Sequence, residues 1–133
     1  MTDKRFDHSP WLFWDGADPY ERAAQLEYQA HLATTCDVGL GENTYVSPRA
    51  LVGPETLRLG SRCYVAAYAY VTDVLVAGDD CTINPYAVVR GSVTMGDGVR
   101  IGAHASLLGF NHSMDPAEPS FRQLVFGGRP TPG

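Results

Sequence analysis

The sequence predicts an all-β solenoid, a parallel β-helix, with a helical segment at its N-terminal end. Apolar residues recur at every sixth position without a break, at Leu59, Val65, Val71, Ala77, Ile83, Val89, Met95, Ile101 and Leu107. A second apolar register follows each of these by four positions, at Cys63, Ala69, Leu75, Cys81, Ala87, Val93, Val99 and Ala105. Six is the period of neither an α-helix nor a simple strand, and a fixed internal repeat indicates stacked units.

The physical interpretation of this repeat is a triangular coil. Each six-residue unit supplies one short strand and a turn, and three units close one coil, with the first apolar residue pointing inward. Successive coils lie one strand spacing apart, about 4.8 Å. The glycines that follow many of these residues, such as Gly60 and Gly78, are expected at turns that need unusual dihedral angles. Between Val52 and Leu59 the interval is seven, which places one inserted residue at a corner near Pro54–Glu55.

The repeat divides the chain into three segments. Residues 1–35 precede it and form a predicted aromatic and helical cap, residues 36–112 form the β-helix, and residues 113–133 form a loop that leaves the solenoid. After Leu107 the six-residue pattern stops, because Ser113 and Pro119 occupy the next positions. Loops on a rigid repeat scaffold are where functional residues concentrate.

The cap contains a predicted helix with a clear start. Asp18 is the expected N-cap, Pro19 the first helical residue and Glu21 the third, with the helix running to about Leu32. Its apolar face is predicted from Ala23, Leu26, Ala30 and Tyr28, and a solenoid end needs such a cover.

The aromatic residues before this helix allow two interpretations. Trp11, Phe13 and Trp14 either pack the cap onto the solenoid or line a pocket for a small acceptor molecule.

Composition excludes several classes of function. The chain has 133 residues and a formal net charge of −5, with no basic block, so nucleic acid and anionic membranes are poor partners. The N-terminus is polar, without the apolar run of a signal peptide, which favours a cytoplasmic location. Cys63 and Cys81, one coil apart, are expected to be buried reduced thiols that stack on each other.

Two strings carry a resemblance to a known family. "MGDGVR" (Met95–Arg100) and "IGAHAS" (Ile101–Ser106) resemble the repeat of hexapeptide-repeat proteins, and the resemblance extends over about Leu40–Phe126. It implies a left-handed parallel β-helix with a protruding C-terminal loop. The segment from Gly96 to His112 is most similar to the O-acetyltransferases of sugars and antibiotics. That similarity implies acetyl-CoA as co-substrate, no metal, and homotrimers with sites between subunits.

His112 is the candidate catalytic residue in this interpretation. The resemblance places a histidine general base at the point where the last coil opens into the loop. A neutral imidazole, with an ordinary pKa of about 6.5, accepts the proton of an attacking hydroxyl near neutral pH. Asn84, Asn111 and Asp115 are candidates for binding the acceptor. For Asn84 a corner-capping role is an equally good explanation, and Asp115 also opens an Asp–Pro turn.

Two other functions compete with acetyl transfer to a hydroxyl or amine. The segment Val88–His104 is similar to the γ-class carbonic anhydrases, but only His104 and His112 are available on the solenoid for a set of three zinc-binding histidines. The other candidate is a non-catalytic trimerisation or interaction module. No coil is apparent after residue 126, and a fragment or shortened member of the family is therefore expected.

Overall fold

The computed structural model describes residues 5–109 and the backbone of residues 124–126. The N-terminal segment contains α1 (Arg5–His8), a 3-10 turn (Pro10–Leu12), α2 (Phe13–Gly16) and α3 (Pro19–Leu32). The strands are β1 (Asp37–Leu40), β2 (Tyr45–Val46), β3 (Leu51–Leu59), β4 (Tyr64–Val65), β5 (Tyr70–Ala77), β6 (Thr82–Ile83), β7 (Val88–Met95), β8 (Arg100–Ile101), β9 (Ser106–Gly109) and β10 (Leu124–Phe126).

The strands form two parallel sheets that wind around one axis. The short strands stack in the order β2-β4-β6-β8, which we call the short-strand face. The long strands stack in the order β1-β3-β5-β7, and each of β3, β5 and β7 bends midway, so that it contributes to two sides of the coil. Partners along the axis are one coil apart, as in Tyr64 with Thr82 and Thr82 with Arg100. The predicted β-helix, with about four turns, is confirmed.

The interior is built from the two apolar registers. Val65, Val71 and Val89 have no exposed surface, and neither do Leu75 and Val93 of the second register. The side chains of both registers therefore point inward, and equivalent side chains of successive coils stack on one another, as the period predicted.

The inserted residue lies where the sequence placed it. Pairing between β3 and β5 joins Pro54 to Asp73 and Thr56 to Val74, so that Glu55 has no partner in β5. The insertion is a bulge at the bend of the long strand, and it leaves the register unchanged on either side.

The reason for the glycines after the inward residues differs from the prediction. Gly60 and Gly78 do not have positive φ; the positive-φ residues at this corner are Asn43, Arg62, Asp80 and Gly98. A Cβ on Gly60 would lie 2.2 Å from Oδ1 of Asp79, and one on Gly78 would lie 2.1 Å from Oδ1 of Asp97. Glycine is needed there for close packing of the coils rather than for its dihedral freedom.

The aspartates that occupy this space connect successive coils. The Ser61 backbone N–H donates to Oδ1 of Asp79 at 2.8 Å, and the Asp79 N–H donates to Oδ1 of Asp97 at 2.8 Å. In the same column the Glu42 N–H donates to Oγ of Ser61 at 3.2 Å. The side chain of each coil thus bonds the backbone of the coil before it.

Helix α3 covers the first edge of the short-strand face. Its predicted capping box is present, since the Glu21 N–H donates to Asp18 and the Asp18 N–H donates to Glu21, both at 2.8 Å. The predicted apolar face is wrong, because Leu26 is 56% exposed whereas Gln25 is only 3% exposed. Ala23 and Ala30 are also exposed, while Tyr28 is half-buried against the core.

Gln25 is buried because it completes the hydrogen bonding of strand β2. Its Nε2 donates to the Val46 carbonyl at 2.9 Å, and its Oε1 accepts from the Val46 N–H at 2.8 Å. Gln29 Nε2 donates to Gln25 Oε1 at 2.7 Å and to the Thr44 carbonyl at 3.0 Å. This helix face carries glutamines because it packs on the unpaired backbone groups of an edge strand. The glutamine amide has one donor and one acceptor, and it makes the hydrogen bonds that a neighbouring strand would otherwise make.

The substitution Gln25→Ala is expected to lower the free energy of unfolding by about 2 kcal/mol, because it leaves the N–H and C=O of buried Val46 without these bonds. Urea unfolding followed by circular dichroism measures the change. Glu27→Ala, on the exposed side of the same helix, is the control and is expected to change stability by less than about 0.5 kcal/mol. Equal effects of the two substitutions would contradict the edge-capping role.

Strand β10 returns to the solenoid within the segment 113–133, which the sequence pattern did not predict. Leu124, Val125 and Phe126 pair with Val93, Thr94 and Met95, so Phe126 takes the register position opposite Met95. One more side of the coil is therefore started after residue 123.

Candidate functional site

The corner at which the last coil opens is defined by strands β9 and β10. Strand β9 ends at Gly109, opposite Gly91, and β10 begins at Leu124, opposite Val93. In β7 a single residue, Ser92, separates Gly91 from Val93. Between their partners in the next coil, Gly109 and Leu124, the sequence has the 14 residues 110–123. Three predicted site residues, Asn111, His112 and Asp115, belong to this connection and lie outside the described residues.

The floor of this corner is formed by tight bends at Gly91, one coil below Gly109, and at Asp73, two coils below it. Asp73 and Gly91 have φ of 66° and 84°, and a Cβ on Gly91 would lie 2.6 Å from the carbonyl carbon of Gly109. Oδ2 of Asp73 accepts from the Gly91 N–H and from the Thr72 hydroxyl, both at 2.9 Å. These two hydrogen bonds hold the pKa of Asp73 below its ordinary value.

Because the pKa of Asp73 is lowered on folding, its ionised form stabilises the fold above the ordinary carboxyl pKa. This contribution is lost as the pH falls through the folded-state pKa. We therefore expect the melting temperature to fall between about pH 4 and pH 2, and to fall less steeply in Asp73→Asn. Calorimetry of both proteins across this range measures the difference. Parallel curves would assign the acid sensitivity to other carboxylates.

The outer surface beside this corner combines a cation with apolar side chains. The Arg90 guanidinium lies 5.8 Å from the centre of the Tyr70 ring, and Arg90 pairs with Leu108 of β9. Leu108 is 51% exposed and Tyr70 38% exposed. Arg90 projects outward, as expected from its position after Val89.

Asn84 lies one corner of the coil away, after β6. Its Oδ1 accepts from the Tyr64 hydroxyl at 2.7 Å, and its Nδ2 donates to the Ile101 carbonyl at 2.9 Å. The side chain therefore ties three coils together and orients Tyr64. These contacts match the corner-capping alternative, and they do not bring Asn84 to the corner where β9 ends.

A column of exposed rings lies near Asn84. Tyr68, Tyr86 and His104 are one coil apart and stack at centroid distances of 5.5 and 5.1 Å. All three have φ between 64° and 67°, in the left-handed region that side chains of this size rarely adopt. His104 faces outward, as the sequence predicted.

A cleft of about 440 Å³ separates the N-terminal aromatic segment from the short-strand face. Its aromatic walls are Trp11, Trp14 and Tyr64, and its polar side is formed by Arg62, Asp80 and Arg100. The centres of the Trp11 and Tyr64 rings are 6.3 Å apart and the ring planes are tilted by 45°.

The three aromatic residues of the cap have different roles. Phe13 is buried between Phe6 and Tyr45, at ring distances of 4.9 and 4.5 Å, and serves packing. Trp14 donates its indole N–H to the Thr44 carbonyl at 3.0 Å while also lining the cleft. Trp11 is 61% exposed over the cleft. Of the three residues, only Phe13 serves packing alone, whereas Trp11 and Trp14 line the cleft.

The polar side of the cleft is held by an ion pair. Nε and Nη2 of Arg62 donate to the two carboxylate oxygens of Asp80 at 2.8 and 3.1 Å. The hydrogen bonds and charge of Arg62 lower the pKa of Asp80, so the carboxylate is ionised at neutral pH. Arg100 is exposed at the far end of the same strand column. The pocket alternative named Trp11 and Trp14, but the sequence missed the polar side, because Arg62 and Arg100 lie two coils apart and meet the tryptophans only in the folded chain.

The cysteines are free thiols, and two of them are stacked as predicted. The Cys81 N–H donates to Sγ of Cys63 at 3.3 Å, and both residues are buried. A side-chain hydrogen bond with Cys81, followed by burial, raises the pKa of Cys63, and the backbone N–H of Cys81 opposes this shift. Both belong to the core, and Cys63, which is 2% exposed, also lines the floor of the cleft.

Two further properties concern the described residues alone. Within residues 5–109, no three His, Cys, Asp or Glu side chains converge in a way that would hold a metal ion. In the same part of the chain, none of the helices combines the length and apolar character needed to cross a membrane.

Comparison with known families agrees with the geometry of the coils. Residues 78–109 match the family model described as "Bacterial transferase hexapeptide (six repeats)". No curated protein and no solved structure gives a significant match. The matched residues run from the turn before β6 to the end of β9 and include the corner where the last coil opens. The chain thus folds as a parallel β-helix, and its residues 78–109 are similar to the hexapeptide repeat of that family.

Proposed function

We propose that the protein is an acyltransferase that moves an acetyl group from acetyl-CoA to a hydroxyl, or an amine, of a small acceptor such as a sugar. The observation that supports this most is the connection 110–123. It contains Asn111 and His112 and is inserted at a coil corner where one residue would suffice. The match of residues 78–109 to a transferase family model supports the same reaction class.

The proposed reaction is a direct transfer. The acceptor oxygen attacks the carbonyl carbon of the thioester while His112 removes the hydroxyl proton. The carbon–sulfur bond then breaks, and the departing thiolate takes a proton from the imidazolium, which gives the acetyl ester and free CoA. A hydroxyl attacks poorly while it retains its proton, and the proposed role of His112 is to remove that proton as the oxygen attacks.

Asn111 and Asp115 are proposed to bind the acceptor beside His112. Asn84, the third residue that the sequence named for acceptor binding, lies away from that corner, and its hydrogen bond to Tyr64 fixes a wall of the cleft instead. The resemblance to O-acetyltransferases implies a homotrimer with sites between subunits; a cytoplasmic location and a reaction that needs no metal are proposed with it.

The test is release of free CoA thiol from acetyl-CoA over a panel of sugars, antibiotics and amines. Release that depends on the acceptor, with a matching acetylated product in the mass spectrum, is the expected result. Release without acceptor would be thioester hydrolysis, and its subtraction is the control. A folded protein that releases no thiol with any acceptor would contradict the proposal.

A second candidate function is a non-catalytic trimerisation or interaction module. The outer side of the long-strand sheet supports it, because Leu51, Tyr70 and Leu108 are 67%, 38% and 51% exposed. Exposed apolar side chains on one sheet surface favour contact with another chain. Analytical ultracentrifugation combined with the thiol assay separates the two candidates: an oligomer without transfer activity supports the module.

A further inference from the structure

We infer that the cleft between the N-terminal aromatic segment and the short-strand face binds a single neutral pyranose ring. The inference rests on the cleft itself and holds whether or not the chain transfers acetyl groups. Its support comes from the aromatic walls, the balance of charges and the volume.

The aromatic walls offer a flat apolar surface that the fold leaves uncovered. Trp11 is 61% exposed, although Phe13 beside it is 4% exposed, so the segment hides one ring and presents the other. A pyranose ring has C–H groups on its faces, and one such face packs on an indole while the hydroxyls stay at the rim. The Trp11 and Tyr64 rings are tilted by 45° and so do not stack flat on each other, and Asn84 holds Tyr64 in place.

The polar side matches hydroxyl groups rather than a net charge. Asp15 and Asp80 carry two negative charges, and Arg62 and Arg100 carry two positive charges, so the ionised groups lining the cleft sum to zero. Arg62 and Asp80 already bond each other through both carboxylate oxygens, whereas the carboxylate of Asp15 and the guanidinium of Arg100 each present two acceptors or two donors in one plane to neighbouring hydroxyls. A charged ligand would face an opposing like charge on one side of the cleft.

The volume agrees with a small ligand. A cleft of about 440 Å³ falls within the range of roughly 300–1,000 Å³ that is typical of small-molecule sites. It is lined by outward-facing residues of β4, β6 and β8, whereas β9 ends at the bend of the long-strand sheet. Within one chain the cleft and the end of β9 lie on different sides of the coil.

Tryptophan fluorescence provides a direct test, because the chain has two tryptophans and both line the cleft. The protein is titrated with the methyl glycosides of glucose, galactose and mannose, with the open-chain polyol glucitol as control. At least one glycoside is expected to give a saturable emission change with Kd on the order of 1 mM, and glucitol none. No saturable change with any glycoside, or the same change with glucitol, would overturn the inference.

Variants assign the signal to the cleft. In Trp11→Ala the emission of Trp14 still reports on the cleft, and the saturable change is expected to disappear. Leu12→Ala removes an exposed neighbour, 47% exposed, and is expected to bind as the wild type does. Circular dichroism checks that both variants are folded. Unchanged binding in Trp11→Ala would overturn the inference, and stronger binding of the methyl glucuronide anion than of methyl glucoside would refute the neutral specificity.

One further variant separates this inference from the proposed transfer reaction. His112→Ala is expected to keep the fluorescence response even where thiol release is lost. Glycoside binding without transfer activity in the wild type would leave the cleft assignment standing and refute only the transferase. Transfer activity without glycoside binding in the cleft would support the transferase and refute the cleft assignment.

Discussion

Replacing His112 with alanine is expected to lower acceptor-dependent thiol release by about 10²-fold or more, because a general base contributes about 10²–10⁴ to such a step. The loss should appear in kcat, since the base acts while the acceptor oxygen attacks. In the wild type the rate should fall as the pH drops below about 6.5, where an ordinary imidazole becomes protonated. The residual rate of the variant should lack this dependence.

His104→Ala is the matched control for this prediction. His104 lies on the last described coil and stacks on Tyr86 at 5.1 Å, away from the corner where β9 ends. Its removal is expected to leave the rate and its pH dependence unchanged. Equal rates for wild type and His112→Ala would keep the enzyme but exclude His112 as its base, whereas a loss in His104→Ala alone would move the site to the ring column.

Replacing Gly60 with alanine is expected to lower the free energy of unfolding by about 3 kcal/mol, at the upper end of the usual cost of overpacking. The new Cβ would lie 2.2 Å from Oδ1 of Asp79, 2.7 Å from the Gly78 carbonyl carbon and 2.8 Å from the Asp79 nitrogen. The carboxylate can rotate away only by giving up the Ser61 N–H, and the two backbone atoms cannot move without separating two coils. Urea unfolding measures the loss.

Gly102→Ala is the matched control, because Gly102 also follows an inward-facing residue. No described atom lies within 4 Å of the Cβ that it would acquire. Its effect is expected to be at most about 0.5 kcal/mol, or a small gain from the reduced entropy of the unfolded chain. Equal losses in both variants would show that alanine is penalised for its conformation and not for contact between coils.

The periodic part of the fold was predictable because one constraint acts on it. Every inward position of a coil meets its equivalent one coil away, so Val65 and Ile83 repeat the same environment and the same residue type. The bulge at Glu55 was predictable for the same reason, since one extra residue interrupts an otherwise fixed interval. The return of β10 was not, because Leu124–Phe126 resume the register only after the long connection that follows Gly109.

The helix face and the cleft were harder to predict. Helical amphipathicity assumes an apolar partner, but α3 packs on the open backbone of β2, which Gln25 satisfies better than Leu26. The cleft depends on where the aromatic segment docks, which no local pattern encodes. For the candidate site, the sequence named Asn84, but its bonds to Tyr64 and Ile101 appear only when the coils are stacked.

The aspartate column also has a consequence for how the chain folds during synthesis. The Asp79 carboxylate accepts from the Ser61 N–H of the coil before it, and the Asp97 carboxylate accepts from the Asp79 N–H. The backbone hydrogen bonding of each coil is therefore completed by the coil that is translated next. Equivalent residues are 18 positions apart, as in Tyr64 and Thr82, and Gln25 reaches β2 across a separation of 21. A ribosome adding about 5–20 residues per second delivers one coil in about one to four seconds. The cap can thus dock first and the solenoid can grow behind it, away from the N-terminus, while the chain is still emerging.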